Sequence, residues 1–192
     1  RTGAITPVAN LKPIQLAGTI VKRASLHNAD QINRLDIRIN DSVFIEKGGE
    51  IIPKITSVFL KDRDLFSIPI NFIAYCPECN DPLQRIDDDA KHYCLNQLKC
   101  PPQIKGRFEH FISKKALNID GLGPETIDLL FNNNKIKIIS DLYLLKYDDL
   151  LHLKKDGKKW SSNIITGLEN SKKIPFEKVL FGLGIRHVGE TV

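Results

Sequence analysis

Four cysteines have the spacing of a metal site. Cys76 and Cys79 form a C-x2-C pair, and further along the chain Cys94 and Cys100 form a C-x5-C pair. A C-x2-C pair places two thiolates at the tip of a tight turn, and a second pair across a hairpin completes a tetrahedron of soft ligands that suits Zn²⁺. Because four thiolates leave no coordination position for water, the pattern predicts a structural zinc that stabilises a module too short to form its own core.

Two other states of these cysteines stay open from the sequence, namely two disulfides or four thiols without metal. Four cysteines in 192 residues are too few for a disulfide-dense secreted scaffold, which favours zinc. His92 is close to the cysteines in sequence, but with four sulfur ligands present we interpret it as a surface residue.

A glycine pattern recurs three times after the cysteines. It occurs at residues 119–123 (IDGLG), 153–157 (LKKDG) and 185–189 (IRHVG), so the closing glycines of the three copies recur at nearly equal spacing. Each copy opens a predicted helix, which is the helix-hairpin-helix pattern. In that pattern the glycines allow a tight turn, so that N–H groups at the helix N-terminus point at a DNA phosphate. The candidate contacts are Gly121, Gly123, Gly157 and Gly189, with Arg186 and His187 beside the last of them.

The repeats can also be ordinary packing turns between helices. Only the first copy has both glycines, since Lys155 and His187 replace the earlier glycine in the other two. Three copies at one spacing behind a cysteine module favour duplex DNA binding. Because such hairpins contact the backbone, no fixed recognition sequence is expected.

Basic residues are concentrated just after the cysteines. The whole chain has 28 Lys+Arg against 23 Asp+Glu, a net charge of +5 that indicates a polyanionic partner only weakly. Residues 99–115 carry five basic residues and one acidic residue. These can be phosphate contacts or one solvated helix face, and we take Lys105 and Arg107 as candidate DNA contacts.

The elements that position these residues change character along the chain. Residues 1–75 have the pattern of short strands with one helix, which fits a small Greek-key barrel such as the OB-fold. Pro13 to Leu26 predicts one half-buried strand, Ala29 to Asp36 a helix capped by Asn28, and Gly48-Gly49 a hairpin. Pro53 lies inside the strand predicted for Glu50 to Leu60, which indicates an edge or a bulge there. From Gln103 the apolar period is helical. Four apolar stripes follow, which we interpret as packing faces: Phe108, Phe111 and Ile112; Ile127, Leu130 and Phe131; Ile164, Ile165 and Leu168; and Phe176, Val179, Leu180 and Leu183.

The predicted fold class is therefore multi-domain. A small all-β OB-fold barrel occupies residues 1–75, a four-cysteine zinc finger residues 76–102, and an all-α helix-hairpin-helix DNA-binding domain residues 103–192, truncated at its C-terminal end. No run of apolar residues reaches the length of a membrane span. No glycine-rich nucleotide loop, Ser/His/Asp order or HExxH motif is present, so we expect no catalytic residue in this chain.

The chain resembles the bacterial NAD⁺-dependent DNA ligases along its full length. The segments that carry the resemblance are residues 1–9 (RTGAITPVA), 26–30 (LHNAD), 46–53 (EKGGEIIP), the cysteine spacing, 119–123 (IDGLG) and 183–190 (LGIRHVGE). The resemblance implies that Arg1 and Thr2 approach the minor groove near a nick and that Lys47 contacts DNA. Some relatives have Arg in place of Lys47, which would add bidentate geometry.

The resemblance implies the middle portion of an enzyme that seals nicks in duplex DNA during replication and repair. A lysine in a KxDG motif would take AMP from NAD⁺ with Mg²⁺, but no such motif occurs here, so this fragment alone is predicted to be inactive. The absence of Met, with Arg1 at the start, leads us to expect an interior fragment. We expect the protein to be a cytoplasmic monomer. Its expected partner is nicked double-stranded DNA, and no association with a membrane is expected.

Two alternatives remain at this point. One is a non-enzymatic repair or recombination mediator with OB, zinc and hairpin modules, from which an upstream KxDG motif would distinguish the ligase. The other is a zinc-stabilised protein-interaction domain, which would leave the glycine hairpins unexplained.

Overall fold

A computed structural model describes residues 1–47, 52–155, 157–185 and 188–189. The chain divides into two compact units. One comprises Thr2–Asn96, and the other comprises Arg1 together with Gln97–Val192. In the first unit the described elements are β1 (Ala4–Ile5), β2 (Val8–Leu16), β3 (Thr19–Ser25), α1 (Ala29–Leu35), β4 (Val43–Glu46), β5 (Lys54–Val58), a 3₁₀ helix (Leu60–Asp62), β6 (Leu83–Arg85) and β7 (His92–Cys94).

A four-stranded sheet in the order β2-β3-β5-β4 forms the body of the first unit. Strands β2 and β3 are antiparallel, β4 and β5 are antiparallel, and β3 meets β5 in parallel at Ser25 and Lys54. Pro53, expected inside a strand, lies just before β5, where its carbonyl accepts a hydrogen bond from the Ser25 N–H at 2.7 Å. The predicted hairpin glycines Gly48 and Gly49 lie outside the described residues.

The single strand predicted for Pro13 to Leu26 is wrong, because this segment contains a hairpin. Strands β2 and β3 pair through Leu16 and Thr19, which leaves Ala17 and Gly18 as a two-residue turn. Both turn residues have positive φ, 47° and 75°, as a type I′ turn requires. Alanine rarely takes this conformation, and the alternation of apolar residues continues through the turn. The sequence pattern therefore gave no indication of a turn at Ala17 and Gly18.

The helix predicted over Ala29 to Asp36 is confirmed as α1. The side chain of Asn28 caps it by accepting a hydrogen bond from the Gln31 N–H at 2.9 Å. Its buried Ile32 joins a small core with residues from the sheet and the adjoining loop: Ala24, Leu26, Ile37 and Ile55. This core lies between the helix and the sheet.

An ionic cluster joins the loop after α1 to the segment after β5. The guanidinium of Arg63 donates to both carboxylate oxygens of Asp41, at 2.8 and 3.0 Å, and to Asp36 at 2.6 Å. The Asp41 side chain is 1% exposed, so this charge pair is almost fully desolvated. Hydrogen bonds from Arg63 and Arg38 hold the pKa of Asp36 below its ordinary value.

A second, three-stranded sheet in the order β1-β7-β6 belongs to the cysteine region. Strands β6 and β7 form an antiparallel hairpin, and β1 pairs with the other edge of β7 through Ala4–Tyr93 and Ile5–His92. The first strand of the chain is thus hydrogen-bonded to the cysteine hairpin.

The second unit is helical. Its described elements are α2 (Pro101–Ile112), α3 (Pro124–Asn132), a 3₁₀ helix (Ile139–Leu144), α4 (Tyr147–Leu151), α5 (Gly157–Ser171) and α6 (Phe176–Gly182). Helix α3 begins with Pro124, whose missing N–H costs nothing at the first helical position. The core of the helical unit contains Phe108, Phe111, Leu117, Ile127, Leu130, Leu142, Leu150, Ile164 and Leu168. The stripes predicted on α2, α3 and α5 are confirmed as packing faces.

The stripe predicted on α6 does not face the core in the same way. Phe176 is 70% exposed, and Leu183 is 46% exposed. Instead, Phe181 packs against the core, and Gly182 lies so close to Leu117 that a Cβ there would be 2.7 Å from its side chain. A close helix contact at Gly182 therefore selects a different face of α6. Within the described residues no helix combines the length and apolar character needed to cross a membrane.

Candidate metal centre and nucleic-acid interface

The four cysteine sulfur atoms lie within 4.8 Å of one another. Cys76, Cys94 and Cys100 are buried and Cys79 is half-buried, and the four are separate thiols rather than two disulfides. Four thiolates around one Zn²⁺, each about 2.3 Å from the metal, lie about 3.8 Å apart. Since Cys79 Sγ and Cys94 Sγ are 3.5 Å apart, the group already has nearly the dimensions of that tetrahedron.

Local backbone geometry brings the ligands together. The Cys76 N–H donates to the Asp81 carbonyl at 2.8 Å, the Asn80 N–H donates to the Cys76 carbonyl at 2.9 Å, and Asn80 has φ 59°. These bonds form the predicted tight turn around the C-x2-C pair. Cys94 ends β7, and Cys100 caps α2.

The environment of Cys76 favours a metal-binding thiolate. Burial raises the pKa of this thiol, but hydrogen bonds from the backbone of Glu78 and Cys79 and from neighbouring thiols outweigh it, so its pKa lies below the ordinary value. His92 is not a member of the sulfur cluster. It is half-buried rather than on the surface as expected, with its ring 4.7 Å from that of Phe72.

The first glycine hairpin, residues 119–123, uses its two glycines differently. Gly121 has φ 83°, and a Cβ there would lie 3.3 Å from the backbone N and from a side-chain carbon of Ile164. Gly167 of α5 lies directly against the Asp120 carbonyl, where no Cβ would fit. The loop is therefore held tightly against α5, and glycine is required at Gly121 and Gly167.

Gly123, in contrast, faces open space. It precedes α3 with φ −137° and ψ 176°, which any residue adopts, and a Cβ there would meet no atom within 4 Å. The turn itself therefore does not require glycine at this position. What Gly123 provides is unobstructed access to the N-terminus of α3.

Lys114 is a candidate that the sequence analysis did not single out. It is exposed and, with Ser113, lines a cleft of about 370 Å³ that also includes Gly123 and Pro124. A cation therefore faces the same cleft as the open end of α3. Lys114 belongs to the basic run at residues 99–115, which the sequence analysis identified. Its distance along the sequence from the hairpin at residues 119–123 did not indicate that the two line the same cleft.

The second hairpin, residues 153–157, ends at a buried glycine, and part of the third, residues 185–189, lies outside the described residues. Gly157 begins α5 and is buried, and a Cβ there would lie 2.6 Å from the Leu151 carbonyl oxygen. Next to it, the Lys154 ammonium lies 4.9 Å from the centre of the Trp160 ring. Gly189 has open space around it, whereas Arg186 and His187 lie outside the described residues.

Two of the predicted basic contacts already have partners in the protein. Lys105 forms an ion pair with Asp128 at 2.7 Å and lies 5.3 Å above the Phe131 ring. Arg107 donates to the Gln97 carbonyl at 2.7 Å. Much of the basic run therefore supports the helical unit, which favours the interpretation of these two side chains as structural.

Arg1 is held at the helical unit. A Cβ on Gly106 would lie 2.9 Å from the Arg1 backbone N, and one on Gly184 would lie 3.2 Å from its guanidinium. Nearby, burial and the Arg1 charge lower the pKa of His110, although its contact with the Phe181 carbonyl, at 2.8 Å, acts in the opposite direction.

In the first unit, Thr2 is exposed, and the Lys47 ammonium donates to the Thr19 hydroxyl at 3.0 Å. Lys47 shares a cleft of about 520 Å³ with Lys22 and Arg23, two cations that the sequence analysis did not select.

Comparison with known proteins identifies two classes of domain. Residues 1–66 match the NAD-dependent DNA ligase OB-fold domain, and residues 75–101 match the NAD-dependent DNA ligase C4 zinc finger domain. The OB-fold and the zinc finger are thereby confirmed, and together with the sulfur cluster the second match identifies Zn²⁺ as the metal.

All 192 residues also align with proteins named DNA ligase. The chain is 62% identical to that of Flavobacterium johnsoniae, 58% to that of Phocaeicola vulgatus and 58% to that of Bacteroides fragilis. Each alignment covers 100% of this chain and 29% of the relative, so the chain spans less than a third of the length of these relatives. The resemblance to the NAD⁺-dependent DNA ligases is confirmed.

Proposed function

We propose that this chain is the DNA-binding middle portion of an NAD⁺-dependent DNA ligase that seals single-strand nicks in duplex DNA. The support is the joint match of an OB-fold and a C4 zinc finger of that enzyme class, in this order, within an alignment that covers all of this chain and 29% of a protein named DNA ligase. The catalytic lysine, NAD⁺ and Mg²⁺ belong to portions outside these residues. The enzyme acts as a cytoplasmic monomer on nicked duplex DNA.

The proposed division of the chain is an OB-fold domain at residues 1–75, a zinc finger at 76–102 and a helix-hairpin-helix domain at 103–192. Zinc is structural in this scheme, because the four thiolates fill its coordination shell. Sealing a nick requires a grip on the sugar-phosphate backbone that is indifferent to base sequence, and exposed N–H groups with nearby cations provide that grip.

The observation that carries the DNA-binding role is the open first hairpin. Gly123 leaves the N-terminus of α3 unobstructed, and helix α3 has nine residues over which its dipole accumulates. Lys114 lines the same cleft, as do the acidic residues Glu109 and Asp120, and we assign the phosphate contact to the backbone donors of α3 and the Lys114 ammonium. The ammonium of Lys114 and the backbone N–H donors of α3 come from two different parts of the sequence.

The test is binding of the zinc-loaded chain to nicked duplexes of several sequences, measured by fluorescence anisotropy from about 50 to 200 mM salt. We expect affinities that differ little between sequences and a log–log salt slope of about −0.9 for each phosphate contact. A flat salt response, or strong preference for one sequence, would contradict the proposal.

Two variants locate the contact. Lys114→Ala should reduce the salt slope by about one contact, whereas Lys137→Ala, the removal of an exposed lysine that does not line this cleft, should leave it unchanged. Gly123→Val should weaken binding without unfolding the chain, since the valine has space in the free protein but would occupy the approach to the helix end. Equal effects of the two lysine variants would show that net charge alone, and not this cleft, binds DNA.

A further inference from the structure

The chain's first strand pairs with the hairpin that carries Cys94. Strand β1, although it lies within the part that matches the OB-fold domain, pairs with β7 of the cysteine region. Next to this pairing the Cys94 N–H, on a zinc ligand residue, donates to the Gly3 carbonyl at 2.9 Å. Because hydrogen-bonded pairs alternate in an antiparallel ladder, Ile5 and His92 form the next such pair.

Among the described residues, neither hydrophobic core extends into the cysteine region, since the apolar side chains of the two cores stop at Phe72 and resume at Ile104. Its neighbours in the first unit contribute the ring contact between Phe72 and His92 and an ion pair between Arg85 and Asp30. Exposed ion pairs contribute about 1 kcal/mol or less, whereas structural zinc binding contributes on the order of 10 kcal/mol.

We propose that the zinc centre positions the N-terminal segment of this chain: metal binding orders β7, and β7 in turn holds residues 2–5 as a third strand. Arg1, Thr2 and Gly3 precede β1. The resemblance to the NAD⁺-dependent DNA ligases implies that Arg1 and Thr2 approach DNA, and the functional part of this inference rests on the proposed function. Loss of zinc releases residues 2–5, while the sheet β2-β3-β5-β4 keeps its own core.

Amide hydrogen exchange on the whole chain tests the structural part directly. In zinc-loaded protein the Ile5 amide should be protected, and removal of zinc by a chelator should reduce that protection at least tenfold. Amides of β3, such as Val21, which lie in the other sheet, should change less than twofold. Retention of protection at Ile5, or equal loss at Val21, would overturn the proposal.

A variant that keeps all four cysteines provides a second test. Ile5→Pro removes the N–H that this residue donates to β7, whereas the matched Ile5→Val keeps both the N–H and the branched shape. Ile5→Pro should still bind one zinc per chain yet lose protection at the Cys94 amide at least tenfold, and Ile5→Val should behave as the unaltered chain. Unchanged protection at Cys94 in Ile5→Pro would overturn the proposal even if chelation unfolds the protein.

DNA binding tests the functional part separately. Thr2→Ala should weaken binding to a nicked duplex at least threefold in zinc-loaded chain and leave it unchanged in zinc-free chain, because perturbations of one coupled unit are not additive. Equal weakening in both states would show that zinc does not position Thr2. If no form binds duplex DNA, the proposed function fails while the exchange experiments still decide the role of zinc.

Discussion

The two glycines of the first hairpin should respond differently to the same substitution. Gly121→Ala places an L residue at φ 83° and puts its Cβ 3.3 Å from the backbone N and a side-chain carbon of Ile164. The left-handed conformation costs roughly 1–2 kcal/mol and a forced core contact typically about 1–3 kcal/mol. Lower entropy of the unfolded chain offsets about 0.4–1 kcal/mol of this. The net expected loss is about 1–5 kcal/mol.

Gly123→Ala has neither cost, because its backbone is extended and its Cβ would meet nothing within 4 Å. The gain from the unfolded state is opposed by the preference of the N-cap position for glycine over alanine, so stability should change by less than about 1 kcal/mol in either direction. Trp160, the only tryptophan of the chain, lies on α5 in the helical unit. Its fluorescence in a urea titration therefore reports the free energy of unfolding of this unit.

The comparison has a clear refuting result. If Gly123→Ala destabilises the helical unit as much as Gly121→Ala does, the assignment of one glycine to packing and the other to access is wrong. A Gly121→Ala chain of unchanged stability would equally show that the loop is not held against α5.

Four further outcomes are expected. Protein purified without added metal should contain one zinc per chain by elemental analysis, and Cys79→Ser should lower stability by several kcal/mol in thermal unfolding. Arg63→Ala should destabilise the first unit, since it leaves the 1%-exposed Asp41 carboxylate without its cation, and an unchanged midpoint in a urea titration followed by circular dichroism would refute this. The folded state lowers the pKa of Asp36 below 3.8, so the stabilisation lost in Asp36→Asn should be present above about pH 5 and should disappear as the pH falls through the lowered value. Incubation with labelled NAD⁺ and Mg²⁺ should leave the chain unlabelled, and an acid-stable AMP adduct on any of its lysines would overturn the domain assignment.

Local chemistry made several elements predictable. Asn28 is a strong capping residue followed by a short amphipathic segment, and α1 begins where that signal places it. The β2–β3 hairpin was missed because its turn uses Ala17 at positive φ, an uncommon choice that only cross-strand pairing enforces. On α6 the period predicted a helix but not its buried face, because the close approach at Gly182 depends on Leu117 from another part of the helical unit.

By itself the sequence predicted a four-cysteine zinc centre and the resemblance to the NAD⁺-dependent DNA ligases. Four cysteines at fixed spacing in the short segment from Cys76 to Cys100 restrict the metal geometry locally, so their meeting required little knowledge of the rest of the chain. The tertiary structure decided which glycines and which cations remain available. Gly121 contacts α5 and Lys105 pairs with Asp128, whereas Gly123 and Lys114 face an open cleft. Such distinctions depend on distances between distant segments, which residue type and spacing do not contain.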